Sequence, residues 1–152
     1  MDIRRTDSET DVVFDDALSI RRTVFVDEQG VPADRELDGL DETAVHFVAY
    51  TGDDPVGAAR LRTYQDDEPA ESIDESTGKI ERVSVLSEHR GNGIGRRLMG
   101  EIEDAASGLG YDELVMYAQT PVVGFYRELG YRTEGEIFED AGIPHRSMRK
   151  RL

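Results

Sequence analysis

Apolar residues recur along the chain with two different spacings, which separate predicted helices from predicted strands. Met1 to Thr6 is predicted as a short strand. A helix should follow, because Ser8 and Asp11 have the spacing of a capping box. Beyond them, apolar residues fall on one helical face, namely Val13, Ala17, Ile20 and Val24. The polar, Pro- and Gly-containing stretch EQGVPADRELDGLDE is predicted as a connection with room for a short helix.

Three strands are predicted in the middle of the chain. AVHFVAYTGDDPVGAARLRTY has two apolar runs around the turn Gly52-Asp53-Asp54-Pro55, a pattern typical of a hairpin. The acidic stretch DDEPAESIDESTG is expected to be a mobile loop. KIERVSVL then alternates with the period of two that indicates a strand.

The second half of the chain alternates predicted helices and strands. A helical apolar stripe should stop at Gly110 and consists of Ile94, Leu98, Ile102, Ala105 and Leu109. DELVMYA is predicted as a strand, and Thr120-Pro121 as the start of a helix that ends at Gly130. YRTEGEIFE and PHRSMRKRL should close the chain as two strands. This order predicts an α/β fold with a mixed central sheet flanked by helices.

Length and composition narrow the class of protein. The 152 residues fit one domain spanning 1–152. No long apolar run or basic-then-apolar leader is apparent, so a cytoplasmic protein without a membrane span is expected. The sequence has no cysteine, which excludes disulfides, thiolate metal sites and a cysteine nucleophile. Its three histidines are widely spaced without a metal-ligand pattern, so no metal is expected.

The charge balance is strongly acidic. The formal net charge is -15, and Lys79 and Lys150 are the only lysines. Such a surface would repel phosphates, which argues against a nucleic-acid partner. The apolar periodicity argues against disorder. Adaptation to high salt is the favoured hypothesis, since the Debye length shrinks to about 3 Å at 1 M salt. An alternative explanation is that the acidic surface attracts a cationic amine substrate, which would require the same negative charge.

HRGNGIGRRLM, residues 89–99, has the composition of a phosphate-binding turn before a helix. A dinucleotide fingerprint would need glycine where Arg96 stands, and a P-loop would need Gly-Lys-Ser/Thr where Arg96-Arg97-Leu98 stands. The segment therefore matches neither the dinucleotide-binding motif nor the P-loop. The turn alone leaves two interpretations open: backbone amides that bind a phosphate, or a turn that only reverses the chain.

Three blocks of the sequence, from about residue 20 to the end, resemble one family. VSVLSEHRGNGIGRRLM resembles the signature of the GNAT acetyltransferases, whose R/Q-x-x-G-x-G/A loop follows a strand and binds the pyrophosphate of coenzyme A. AQTPVVGFYRELGYRTEGEIFEDAGIPHRSM and RRTVFVDEQGVPADRELDGLDETAVHFVAY are similar to the two halves of a bacterial and archaeal branch. The resemblance implies a GNAT fold of six to seven strands, acetyl-CoA as co-substrate and N-acetyltransferase activity.

The resemblance also implies the residues that bind coenzyme A. Val83 and Val85 would present backbone groups to the pantetheine arm, while their side chains could still pack in the core. The pyrophosphate cradle would consist of Arg90, Gly91, Gly93, Gly95 and Arg96.

The resemblance implies that Tyr126 is the acid that protonates the departing thiolate of coenzyme A. A phenol with a pKa near 10 suits that role. The alternative interpretation is an aromatic core residue beside Phe125 and Leu129.

Glu81 is the candidate base that takes the proton of the attacking ammonium group. The period of two places it on the same strand face as Val83 and Val85. The alternative is a solvated carboxylate, or one paired with Arg82 or Arg132.

Glu28, Gln119 and His145 are the candidates for the acceptor pocket, through their places in VFVDEQG, YAQT and GIPHRSM. A structural role for His145 is equally open, and His46 is predicted to be a structural histidine.

The predicted reaction is transfer of acetyl from acetyl-CoA to an amine by direct attack in a ternary complex, without an acyl-enzyme. Orientation of the reactants and backbone polarisation of the thioester carbonyl would supply much of the rate. The acceptor would be a small-molecule amine or a peptide N-terminus, and family likeness suggests a homodimer. Two alternatives remain at this point. One is a non-catalytic acyl-CoA-binding or sensing module of the same fold, and the other is an unrelated α/β domain with a structural glycine turn.

Overall fold

A computed structural model describes residues 1–65 and 73–152. Its seven strands form one sheet in the order β1-β2-β3-β4-β5-β7-β6. The strands are β1 (Asp2–Thr6), β2 (Val45–Thr51), β3 (Asp54–Gln65), β4 (Ile73–Val85), β5 (Glu113–Gln119), β6 (Arg132–Asp140) and β7 (Ile143–Arg151). The α-helices are α1 (Val12–Arg21), α2 (Ala33–Glu36), α3 (Ile94–Gly108) and α4 (Val123–Glu128). β4 and β5 run parallel, whereas β5 and β7 run antiparallel, so the predicted mixed sheet is confirmed.

The first helix begins later than a cap at Ser8 would require. Asp11 is the N-cap residue, and its carboxylate accepts a hydrogen bond from the Val13 amide at 3.0 Å. The capping-box prediction is therefore wrong, because the Ser8 hydroxyl bonds instead to Thr10 at 2.8 Å. The predicted apolar face is buried along α1 and into a π-helical segment, Arg22–Glu28, that continues it.

Two further boundaries differ from the prediction. Thr120–Val122 forms a 3₁₀ turn with Gln119 at its cap position, so α4 starts at Val123 and not beside Thr120. Pro121 lies in that first turn, where a missing amide is tolerated. The acidic stretch expected to be a loop contains the start of β4 from Ile73, because its Thr77 pairs with Glu113 of β5. Residues 66–72 of that stretch lie outside the described residues.

The described chain forms two compact units, of which the first comprises Met1–Arg62 and Arg82–Ile102. Its apolar core joins α1 to β2 and β3 and includes Val13, Ala17, Ile20, Val24, Val48, Tyr50 and Ala58. Within this unit, β3 closely approaches the first turn of α3 at Gly57. A Cβ atom built on Gly57 would lie 3.0 Å from Ile94 Cγ2 and 3.2 Å from the Ser84 carbonyl oxygen. The absence of a side chain therefore sets this packing distance.

The second unit comprises Thr63–Glu81 and Glu103–Leu152. In it, β5 pairs with β7 along its whole length, from Glu113↔Arg151 to Gln119↔His145. Lys150 of β7 donates hydrogen bonds of 2.7 Å to Glu103 and to the Leu129 carbonyl at the end of α4. No helix in the described part of the chain is long and apolar enough to cross a membrane.

Candidate functional site

The glycine-rich segment connects β4 to α3 within the first unit. Gly91 and Gly93 have φ of +81° and +80°, the left-handed region that side chains rarely adopt. A Cβ atom on either residue would meet nothing within 4 Å, so both face open space. The first bond of the helical ladder runs from the Arg97 amide to the Gly93 carbonyl at 3.1 Å. The amides that precede it, around Gly95, therefore lie at the positive end of the α3 dipole, which favours an anion.

Arg90 and Glu28 are brought together by a bidentate ion pair. The Arg90 Nη1 and Nη2 atoms donate to the two Glu28 oxygens at 2.6 and 2.7 Å, and Nε donates to the Val85 carbonyl at 2.9 Å. Hydrogen bonding to Arg90 lowers the pKa of the Glu28 carboxyl. Glu28, expected beside the acceptor, thus contacts the glycine-rich turn, and Arg96 is exposed in the first turn of α3.

The end of β4 contains an irregularity that its sequence did not reveal. Arg82 has φ of +59°, a left-handed conformation that costs a non-glycine residue roughly 1–2 kcal/mol. The alternation from which Glu81 was placed on one face with Val83 and Val85 assumes extended backbone at every residue, Arg82 included. The side chains of Val83 and Val85 are only partly buried.

A buried ionic network, missed by the sequence analysis, lies in the same unit. Three arginines and three carboxylates share it: Arg21, Arg60, Arg82, Glu36, Asp38 and Asp41. Arg21 and Arg60 are 1% and 0% exposed, so their charges depend on these partners. Burial alone would raise the pKa of Asp38, but hydrogen bonds and charge from Arg60 hold it well below its usual value. The partners are 15 to 46 residues apart in sequence, so no local pattern indicates them.

In the second unit, a chain of contacts links Glu81 to His145. The Glu81 carboxylate lies 3.6 Å from the Lys79 ammonium, which stands 3.9 Å from the centre of the Tyr117 ring. Tyr117 meets Phe138 edge-on with ring centres 5.1 Å apart, and Phe138 stacks on His145 at 5.9 Å. The carboxylate thus has a lysine partner that the sequence analysis did not foresee.

His145 and Gln119 face each other across the β5–β7 ladder. The His145 Nδ1 atom lies 2.6 Å from the Ile143 carbonyl, so Nδ1 carries a proton and donates it to that oxygen. Glu81 and His145 therefore belong to one aromatic-lined cluster of the second unit, and Gln119 is the residue opposite His145 in the sheet. Tyr117 and Phe138 complete this cluster. The sequence could have indicated them, because both lie in predicted strands and Tyr117 precedes Gln119 by two residues.

Tyr126 lies in α4 and is buried among aromatic rings. Its ring centre is 5.0 Å from that of Phe125 and 6.1 Å from that of Tyr131. Burial raises the pKa of the Tyr126 phenol above its ordinary value. The phenol therefore keeps its proton throughout the neutral range. The packing of Tyr126 is that of an aromatic core residue, which was the alternative interpretation. Its protonated hydroxyl can also donate a hydrogen bond, as the proposed acid must.

Metal ligation has no support in the described ranges. No group of three or more His, Cys, Asp or Glu side chains within them is arranged to hold a metal ion. His46 is buried, and its Nε2 lies 2.9 Å from the Asp41 carbonyl. Burial lowers the pKa of His46, so the folded protein favours the neutral ring more than the unfolded chain does.

Comparison with known proteins identifies the family. A family model, the acetyltransferase (GNAT) domain, matches residues 16–152. An uncharacterised N-acetyltransferase of Bacillus subtilis, YjcF, is 43% identical over 136 residues, covering 89% of this chain and 90% of that protein. The structure of an acyl-CoA N-acyltransferase from Pseudomonas aeruginosa has a TM-score of 0.82 and 28% identity and covers 99% of both chains.

An aminoglycoside 6'-N-acetyltransferase complexed with coenzyme A shares the fold, with a TM-score of 0.71 and 19% identity over 99% of this chain and 97% of that one. The chain therefore belongs to the GNAT acetyltransferase family. It is an acyl-CoA-dependent acyltransferase by family, and such enzymes act on amine substrates.

Proposed function

We propose that this protein transfers an acetyl group from acetyl-CoA to an amine by direct attack within a ternary complex. The observation that carries this proposal is the segment between β4 and α3. There, two left-handed glycines expose backbone to open space at a helix N-terminus. Such a terminus is suited to a pyrophosphate, because its amides and its dipole both favour negative charge.

Arg90, Gly91, Gly93, Gly95 and Arg96 would form the pyrophosphate cradle. The three glycines contribute backbone and Arg96 contributes positive charge. The Arg90 guanidinium is bound to Glu28, so it would contact pyrophosphate only by sharing or releasing that carboxylate. The backbone of Val83 and Val85 would bind the pantetheine arm.

The chemistry requires protons to leave the nitrogen and one proton to reach the sulfur. The amine nitrogen attacks the thioester carbonyl, the carbon–sulfur bond breaks, and the nitrogen releases one proton to water as the amide forms. The coenzyme A thiolate accepts a proton from Tyr126, which regains one from water, or it accepts a hydrogen bond from Tyr126 and takes its proton from water. The ammonium form of the acceptor must first lose a proton, for which Glu81 is the candidate base. That carboxylate also contacts Lys79, so the acceptor would approach a site that already contains a cation.

The acceptor would be a small-molecule amine or a peptide N-terminus, and Glu28, Gln119 and His145 are the candidate residues for binding it. A cytoplasmic homodimer adapted to high salt is part of the same proposal. The acidic composition supports the adaptation to salt.

The test is a turnover screen with acetyl-CoA over polyamines, amino acids, aminosugars and peptide N-termini, in dilute and molar KCl. Release of free coenzyme A thiol is the readout. Gly93→Ala should weaken coenzyme A binding about 10-fold or more, since it disturbs charge-assisted hydrogen bonds worth about 1.5–3 kcal/mol each.

Gly52→Ala is the matched control. Gly52 also has a positive φ, +62°, with nothing within 4 Å of its Cβ position, but it lies in the β2–β3 turn. It should therefore lose stability without losing coenzyme A affinity. The proposal would be refuted if coenzyme A, at concentrations far above micromolar, did not raise the Tm of the wild-type protein. Binding without turnover of any amine would favour the non-catalytic module instead.

A further inference from the structure

Arg82 has an unusual backbone conformation for a residue within a strand. Its φ is +59°. Ala141, the other non-glycine residue with positive φ in residues 1–65 and 73–152, lies in the turn between β6 and β7. Glycine or asparagine adopts this conformation more readily than arginine does. A strained conformation of this kind persists only where the surrounding structure stabilises it.

The Arg82 guanidinium is bound to one short segment of the first unit. Its Nε donates to Glu36 Oε2 at 3.2 Å, and its Nη2 donates to the Glu36 carbonyl at 3.1 Å. The same Nη2 lies 3.3 Å from Asp38 Oδ2 and 3.4 Å from the Arg35 carbonyl. Two carboxylates and two main-chain carbonyls therefore hold one guanidinium.

The groups that bind Arg82 are themselves held in place. Arg21 forms a bidentate pair with Glu36, at 2.8 and 2.7 Å. Arg60 forms a second bidentate pair with Asp38, at 2.9 and 2.8 Å. Because Arg21 and Arg60 are almost fully buried, breaking either pair would leave an uncompensated charge. The anchor of Arg82 is therefore rigid, unlike an ordinary surface ion pair.

We propose that Arg82 is a positioning residue for acyl transfer. Its guanidinium, anchored on Glu36 and Asp38, holds the left-handed kink that directs the next residues of β4, Val83 to Val85. Their backbone then presents amide groups to the thioester carbonyl and the pantetheine arm. This assignment rests on the proposed function, and it adds a residue that touches no reacting atom.

The expected consequence follows from the geometry of hydrogen-bond donors. A donor that stabilises a developing oxyanion must lie within a narrow distance of that oxygen. Rotation about φ at Arg82 would shift every following backbone group of β4. Loss of the anchor should therefore reduce the rate of chemistry more than it reduces binding of coenzyme A.

The test compares Arg82→Asn with Arg149→Gln. Asparagine tolerates the left-handed conformation but is too short to maintain the contacts of arginine with Glu36 and Asp38. Arg149 is a control of similar exposure that also pairs with two carboxylates, Glu113 and Glu134, in the second unit. Four quantities are measured: kcat and the KM for acetyl-CoA, both with the amine found in the screen, Tm, and the carbon-13 chemical shift of a labelled thioester carbonyl in bound acetyl-CoA.

For Arg82→Asn we expect kcat to fall about 10- to 100-fold, the range expected when a reacting group is misplaced by up to 1 Å. KM for acetyl-CoA should change by less than about 3-fold, since the pyrophosphate contacts remain. The carbonyl shift that the wild type induces should return towards the value of free acetyl-CoA. Arg149→Gln should change none of the catalytic quantities.

A wild-type carbonyl shift and kcat in Arg82→Asn, with only Tm lowered, would overturn the positioning role and leave the proposed function intact. If Arg82→Asn does not fold, Arg82→Gly replaces it, because glycine adopts a positive φ without strain and has no guanidinium, and it should lower kcat and the shift in the same direction. An unaltered kcat and shift there would equally overturn the inference. Failure of the wild type to bind acetyl-CoA would instead refute the proposed function, and this assignment with it.

Discussion

The phenol of Tyr126 lies in surroundings that determine which protonation state it can use. It is buried, and burial is the cause that raises its pKa. Full transfer of its proton to a thiolate, whose own conjugate acid has a pKa near 8.5, is therefore less favourable than for an ordinary phenol. A hydrogen bond donated to the sulfur as the carbon–sulfur bond breaks fits these surroundings better.

We predict that Tyr126→Phe lowers kcat about 100-fold, the lower end for loss of an acid catalyst, without lowering Tm. Tyr131→Phe is the control, because Tyr131 is also buried, packs against Tyr126 and bonds through its hydroxyl to Glu103 at 3.4 Å. It should keep wild-type kcat. The measurement is kcat of both variants by steady-state kinetics with saturating acetyl-CoA. Equal kcat values for Tyr126→Phe and Tyr131→Phe would exclude Tyr126 as the acid.

His46 makes stability depend on pH through the ionic network. Burial lowers its pKa, although the Asp41 carbonyl and carboxylate act in the opposite direction. A histidine with a lowered pKa binds its proton more readily in the unfolded chain than in the folded one. Its stabilising effect is therefore complete above about pH 6.5 and is lost as pH falls from there towards the folded pKa.

We predict that wild-type Tm falls between pH 7.5 and pH 5.5 by roughly 2–4 °C more than the Tm of His46→Gln falls. Glutamine can still donate a hydrogen bond to the Asp41 carbonyl but does not titrate. Thermal melts of both proteins at the two pH values give the difference directly. Identical pH dependence would mean that His46 does not couple protonation to folding.

At the scale of elements, Gly57 shows how a missing side chain sets the position of α3. A Cβ atom there would lie 3.0 Å from Ile94, 3.1 Å from Leu98 and 3.2 Å from the Ser84 carbonyl. The two side chains belong to the first turns of α3, immediately after the glycine-rich segment. A methyl group at position 57 would therefore displace this helix start or strain it.

We predict that Gly57→Ala destabilises the protein by about 1–3 kcal/mol. Gly100→Ala is the control, because Gly100 is exposed within α3 and nothing lies within 4 Å of its Cβ position. It should stabilise by about 0.5–1 kcal/mol, the helix propensity difference between the two residues. Urea unfolding of both variants measures the effects. A neutral Gly57→Ala would show that β3 and α3 can separate without cost.

The order of the elements could be predicted because it depends on local periodicity and on local turn residues. Gly91, Gly93, Gly110 and Gly130 all have positive φ, as expected for residues that end or precede a helix. The contacts of Arg82 and Glu28 could not be predicted, since Arg82 reaches Glu36 across 46 residues and Glu28 reaches Arg90 across 62. The left-handed conformation of Arg82 could not be predicted either, because such a residue has no signature in an apolar pattern.

At the scale of the whole molecule, acidic residues outnumber basic ones by 33 to 18. Both lysines are engaged in ion pairs, Lys79 with Glu81 and Lys150 with Glu103. The arginines Arg21 and Arg60 are buried in the ionic network of the first unit. Much of the positive charge is thus used internally, and the excess negative charge is left to repel itself in dilute solution.

We predict that this repulsion makes the protein more stable in molar KCl than in dilute buffer, since the Debye length falls from about 10 Å at 0.1 M to about 3 Å at 1 M. Thermal melts across a KCl series should show Tm rising with salt. The double variant Glu42→Gln, Glu101→Gln removes two exposed carboxylates and should show a shallower rise. Sucrose, which favours burial without screening charge, should act equally on both proteins. A Tm that is no lower in dilute buffer than in molar KCl would contradict adaptation to salt and leave attraction of a cationic amine as the reason for the acidity.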